Sequence, residues 1–225
     1  DITNNSAGYL WAPNGQINLV SVASPGEINL SDLNTNSFAK LGNITAQGYS
    51  IALEGKGGFL VEGENYLVDP GGTIIIRGGK LFFEHNHLSA RGNPGGSVSI
   101  QGEQLHLDDT DINTGTHGAV NHPGTAVDIN VTGDVLLTNG SEIASSSYGA
   151  GRAGDVRITA GNIQLGDDDP ATSLQTSIGF YGDIGSRSFG SGRGGDVYIT
   201  ADNLTVKNGF FINTAALSWG DAGNV

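Results

Sequence analysis

Aliphatic residues in pairs, separated by one position, recur down this chain in a fixed order, and that recurrence constrains the fold more than any other feature. One column holds Ile74 and Ile76, Val98 and Ile100, Val127 and Ile129, Val156 and Ile158, and Val197 and Ile199. A second holds Leu81 and Phe83, Leu105 and Leu107, Val135 and Leu137, Ile163 and Leu165, and Leu204 and Val206. The third is a single position: Leu88, Ile112, Ile143, Ile184 and Ile212. A spacing of two puts both side chains of a pair on one face of a strand. Each unit therefore carries three short strands with one apolar face, which it cannot bury alone, whereas stacked units bury their faces against one another. The expectation is an all-β chain folded as a right-handed parallel β-helix, a three-sided solenoid.

The metre is visible in the first column, where Val98 to Val127 and Val127 to Val156 are both 29 positions and Val197 to Val225 is 28. Between Val156 and Val197 the interval is 41, which points to an insertion loop near 166–176. Corners of a solenoid accept such loops because only the loop itself must be ordered. Glycine, at 37 residues against 6 prolines, fits many tight turns and neither a collagen repeat nor a linker. Residues 71–225 read as regular rungs. Residues 1–70 read as irregular rungs of the same coil, with strands expected at Gly15–Leu19, Gly26–Leu30, Tyr49–Leu53 and Phe59–Val61 and a loop at Ser31–Leu41. Val, Ile, Thr and Tyr broken by Gly or Asn every few residues disfavour helices.

With 23 acidic and 10 basic side chains, the net charge of −13 argues against nucleic acid and anionic membrane surfaces as partners. No apolar stretch reaches the roughly 18 residues of a membrane span, so membrane insertion is not expected. Without cysteine there is no disulfide or thiolate site. A chain without methionine that starts at Asp1 is expected to be a processed product or a part of something longer.

The cassettes Gly154-Asp155-Val156-Arg157-Ile158-Thr159-Ala160-Gly161-Asn162-Ile163 and Gly195-Asp196-Val197-Tyr198-Ile199-Thr200-Ala201-Asp202-Asn203-Leu204 resemble the repeats of filamentous haemagglutinin-like exoproteins of the two-partner secretion route. Leu10-Trp11-Ala12-Pro13-Asn14-Gly15-Gln16-Ile17 resembles the segment that follows the secretion domain in such proteins, and the likeness covers residues 8–225. It implies a secreted, cell-surface protein, exported through an outer-membrane barrel transporter and active in adhesion, biofilm or cell contact. The secretion domain's own motifs are not recognisable in this chain.

Candidate sites are few. His117, Tyr148, Phe189 and Trp219 each precede a glycine at the close of the third strand, so four rings are expected along one edge. They serve either as an aromatic cover for the corner or as a strip for stacking sugars. Asp108, Asp109 and Asp111 fall between the second and third strands, one rung from His85 and His87, with Arg91 and Lys80 the nearest cations in sequence. This is the best catalytic candidate, weighed against the ordinary use of Asp at turns to bind backbone amides. Asp167, Asp168 and Asp169 form a calcium candidate on the insertion, without EF-hand spacing. His117 and His122 suggest a metal pair without a third ligand.

The expectation is a structural or adhesive rod and not an enzyme, with no required cofactor, that meets glycans or proteins on host or neighbouring cells. The alternatives are a carbohydrate-binding or polysaccharide-cleaving β-helix, and a self-assembling extracellular filament subunit whose copies associate end to end.

Overall fold

The computed structural model describes residues 2–4, 9–23, 41–47, 57–60, 62, 68–166 and 182–225. The chain runs through β1 (Ile2–Asn4), β2 (Tyr9–Trp11) and β3 (Gln16–Val20), and then through β4 (Ile44–Gln47), β5 (Gly57–Leu60) and β6 (Thr73–Arg77). A third round is β7 (Lys80–Glu84), β8 (Asn86–Ser89) and β9 (Ser97–Gly102), and a fourth is β10 (Gln104–Asp108), β11 (Asp111–Asn113) and β12 (Thr125–Val131). The fifth is β13 (Asp134–Thr138), β14 (Glu142–Ser147) and β15 (Asp155–Thr159). The sixth is β16 (Asn162–Leu165), β17 (Asp183–Ser188) and β18 (Val197–Thr200), and β19 (Asn203–Val206) and β20 (Phe211–Ala216) open a seventh.

Each strand pairs in parallel with the strand three further on. The result is a first sheet ordered β1-β4-β7-β10-β13-β16-β19, a second ordered β2-β5-β8-β11-β14-β17-β20 and a third ordered β3-β6-β9-β12-β15-β18. The described residues are thus all-β, and the chain visits three parallel sheets in rotation. Consecutive strands never pair with each other, because each turn between them leads to the next sheet.

The apolar columns set the register. Ile74, Val98, Val127, Val156 and Val197 are successive partners in the third sheet. Leu81, Leu105, Val135, Ile163 and Leu204 are successive partners in the first. Leu88, Ile112, Ile143, Ile184 and Ile212 line up in the second. Through the sixth round almost all of these side chains are buried. A buried Leu, Ile or Val contributes about 1.5–3 kcal/mol relative to an exposed one. A one-residue slip would turn a whole strand's set outward, so the columns fix the pairing as well as stabilise it. In the seventh round the same column is half exposed, with Leu204 at 47 % and Val206 at 43 %.

Among the four early strands expected from sequence, Gly15–Leu19 corresponds to β3, and Phe59–Val61 overlaps β5. The other two, and the loop at Ser31–Leu41 save for Leu41, lie outside the described residues, as does all of the 166–176 insertion except Gly166. β1, β2 and β4 were not expected. No helix among the described residues is long and apolar enough to cross a membrane.

The corners differ in kind. Between the first and second sheets, successive rounds place a left-handed residue: His85 (φ 52), Asp109 (φ 44), Asn139 (φ 52), Gly166 (φ 85) and Asn208 (φ 52). Asn, Asp and His are the non-glycine residues that adopt this conformation most readily. Between the second and third sheets, backbone stacks directly on backbone. A Cβ on Gly195 would lie 2.0 Å from the Gly154 oxygen, and one on Gly223 would lie 1.8 Å from the Gly195 oxygen. Inward hydroxyls tie that turn down, as where Ser147 Oγ donates to the Gly151 oxygen (2.6 Å) and Gly195 N donates to Ser186 Oγ (2.7 Å).

Candidate functional site

Both clusters singled out from sequence lie along the second sheet, at its two margins. At the margin facing the third sheet, the residues just past β11, β14 and β17 point outward. The His117 and Tyr148 rings stack with centroids 4.5 Å apart and planes 14° apart, and Tyr148 and Phe189 stack at 5.1 Å and 5°. Three of the four expected rings therefore form the ladder. Their faces are turned to one another, so the ladder offers mostly ring edges to solvent, with Tyr148 40 % and Phe189 39 % exposed.

The fourth, Trp219, is 93 % exposed and takes no part in the stack among the described residues. The register explains why. Ser188 pairs with Ala216, so Leu217 follows Phe189 in the column. Its amide donates to the Ser188 oxygen just as the Phe189 amide donates to the Ser147 oxygen. Gly220 meanwhile takes the place that Gly192 holds one round earlier: a Cβ on it would lie 1.9 Å from the Gly192 oxygen, and its amide donates to the Gly190 oxygen as the Gly192 amide donates to the Gly149 oxygen. Trp219 thus stands two residues beyond the ring column, and the Trp-Gly and Phe-Gly dipeptides are not equivalent positions.

At the margin facing the first sheet, the rung alignment of histidines and aspartates is present. His85 Nδ1 lies 2.8 Å from Asp109 Oδ2, and its Nε2 lies 3.9 Å from Glu84 Oε1. His87 Nδ1 lies 3.8 Å from Asp111 Oδ2. Glu84 and Asp108 are in-register partners on the outer face of the first sheet. Each carboxylate receives an amide from the round beyond it: Gln47 Nε2 donates to Glu84 (2.7 Å) and Asn139 Nδ2 to Asp108 (2.5 Å). His106 lies beside them, 5.0 Å from the Phe82 ring centroid and 3.0 Å from Thr138 Oγ1. Burial lowers its pKa, against the pull of Asp108 and Glu84. Lys80 lies at the far end of β7, and Arg91 is engaged with Glu62 at 3.7 Å, so neither cation is shown beside these carboxylates.

The arrangement supplies hydrogen-bonded acid and imidazole groups at a corner. Left-handed geometry there is shared with Asn139 and Asn208, so it belongs to the corner and is not a mark of catalysis.

Asp167, Asp168 and Asp169 lie outside the described residues. His117 and His122 are not brought together as a metal pair: His117 is in the ring stack, while His122 is 6 % exposed and bonded to backbone. Among the described residues, no group of three or more His, Asp or Glu is placed to hold a metal ion.

Two ionic features escaped the sequence reading. In the Gly-Arg-x-Gly-Asp-Val segments at 151–156 and 192–197, Asp155 Oδ1 accepts the Asp196 amide (3.0 Å), and Asp196 Oδ1 accepts the Asn224 amide (2.8 Å). Arg152 lies 2.5 Å from Asp155 and 3.4 Å from Asp196, and Arg193 lies 2.7 Å from Asp196. The Arg193 hydrogen bond, aided by the Asn224 amide, holds the Asp196 carboxyl down at about 2. The repeated arginine three positions before the aspartate was the available signal. The second feature is Arg187, buried on the outward side of the second sheet and paired with Glu142 (2.7 Å) and with Asp183. No repeat in the sequence announces it.

Searched against protein-family models, curated proteins and solved structures, the chain matches none of them.

Proposed function

We propose that this chain is a right-handed parallel β-helix that serves as a structural and adhesive rod in a secreted bacterial surface protein. The observation that carries the reading is the pairing of every strand with the one three further on, in register along three apolar columns. Such a topology turns hydrophobic burial into length, and leaves three long polar faces for contact. Right-handed winding follows from the near-universal hand of crossovers between parallel strands. The likeness of the Gly-Asp-Val-x-Ile-Thr cassettes to filamentous haemagglutinin-like repeats supports surface display, export through a barrel transporter, and contact with glycans or proteins of other cells. No cofactor enters this reading.

Cell-binding and glycan-array measurements, run beside a reducing-end assay, test it. Retention on cells or glycans without release of sugar ends is the expected result. Turnover that disappears in Asp109→Ala would overturn the rod in favour of a polysaccharide-cleaving β-helix. Concentration-dependent growth of end-to-end oligomers would favour a filament subunit instead.

A further inference from the structure

The outer face of the first sheet carries an aromatic and aliphatic strip. In β7, β10 and β13 the pairs Leu81 and Phe83, Leu105 and Leu107, and Val135 and Leu137 are buried, so the residue inside each pair points outward. These residues are Phe82, His106 and Leu136, in-register neighbours that are each partly exposed. Successive rounds lie about 4.8 Å apart, and two such steps suit the length of a disaccharide.

The rings here are held differently from those of the Tyr148 ladder. Phe82 and His106 have centroids 5.0 Å apart and planes 51° apart, so neither lies flat upon the other. On its other side Phe82 has Thr45 for a neighbour, too short to cover a ring. Thr138 Oγ1, 3.0 Å from Nε2, fixes the His106 ring.

Polar groups border the strip on both sides. Along one side stand Glu84 and Asp108, where Gln47 donates to Glu84 Oε2 (2.7 Å) and Asn139 to Asp108 Oδ1 (2.5 Å). Glu84 Oε1, 3.9 Å from the His85 ring, and Asp108 Oδ2 are left to accept further bonds. Along the other side are Lys80, Gln104 and Asp134. With Glu84, Asp108 and Asp134 against Lys80, the border repels anions.

We propose that this strip binds a neutral oligosaccharide, with the C–H face of a sugar ring on Phe82 and sugar hydroxyls donating to Glu84 and Asp108. The assignment places the glycan contact of the proposed rod on one face and rests on that reading. An aromatic face is negative and attracts the weakly positive C–H groups of a sugar. Ionised carboxylates only accept, which suits a ligand rich in O–H donors, and Gln47 and Asn139 set them in place before the ligand arrives. An acidic glycan would bring its own carboxylate against Glu84 and Asp108.

NMR titration of the full chain with cellohexaose, mannohexaose and trigalacturonate tests the site. A neutral oligosaccharide is expected to shift Phe82, His106, Leu136 and the side-chain amides of Gln47 and Asn139, while trigalacturonate shifts none of them. Phe82→Ala should weaken the binding about tenfold or more, and Phe82→Trp should preserve it. No response to either neutral oligosaccharide, tighter binding of trigalacturonate, shifts confined to Tyr148 and Phe189, or unchanged affinity in Phe82→Ala overturns the proposal. Should Phe82→Ala fail to fold, the positions of the wild-type shifts decide. A failed titration beside retention on cells overturns the site and leaves the rod standing, whereas binding at this strip without retention on cells supports the site and counts against the adhesive rod.

Discussion

Two corners of the same coil solve the same problem, turning the chain from one sheet to the next, by opposite means. Between the second and third sheets the backbone of one round lies directly on that of the next, and Gly154, Gly195 and Gly223 succeed one another where a side chain has no room. Between the first and second sheets, left-handed residues make the turn, singly at His85 and Asp109 and as the pairs Asn139-Gly140 and Asn208-Gly209, and side chains do the stacking, as His85 with Asp109 and Asn139 with Asp108. The first corner is fixed by space and admits one residue type; the second is fixed by dihedral angle and admits several. The contrast teaches that glycine richness in this chain marks close contact between rounds more than flexibility.

Substitutions break or sharpen that contrast. Gly195→Ala places a methyl against a carbonyl that cannot retreat without moving the round below, and should cost about 3 kcal/mol or more of unfolding free energy in denaturant titration. A loss under about 1 kcal/mol would mean that the glycine corner is as tolerant as the other. Asn139→Ala should cost about 1–2 kcal/mol in the same titration, from the left-handed backbone and the broken bond to Asp108.

Acid is the third probe, with a smaller expected effect. Because the Asp196 carboxyl is held below its ordinary value, its contribution is present above the unfolded pKa and is lost as pH falls from 4 toward the folded value of about 2. Asp196→Asn, which is what Asn224 already offers in the following round, should flatten the dependence of the thermal midpoint over that range. Smallest of all, His85→Asn replaces one left-handed-tolerant residue by a better one while losing the contact to Asp109. It should shift stability by no more than about 0.5 kcal/mol, and a larger loss would show that the His85–Asp109 pair carries more than the corner requires.

By itself the sequence determined the strands and their order of stacking from β6 onward, because a spacing of two with invariant aliphatic positions reports a one-sided buried strand wherever it occurs. It also located the histidine–aspartate corner, since counting along in-register strands places His85 under Asp109 and His87 under Asp111. It missed the strands before residue 50 other than β3. β1 is three residues, Ile2–Asn4, and β4, Ile44–Gln47, contributes only Ile44 and the small Ala46 to the core, too little for a pattern to declare itself.

Tertiary structure alone decided what depends on register to within a residue. It gave Leu217, and not Trp219, the place above Phe189, because the pairing of Ser188 with Ala216 sets that place, and Trp219 stands two residues farther along a turn of the same length. It also decided which charges meet: Arg187 finds Glu142, 45 residues away, only because the two lie on adjacent strands of one sheet. Burial is a property of each strand's own pattern and can be read locally, whereas contact between polar side chains depends on the summed length of every turn between them.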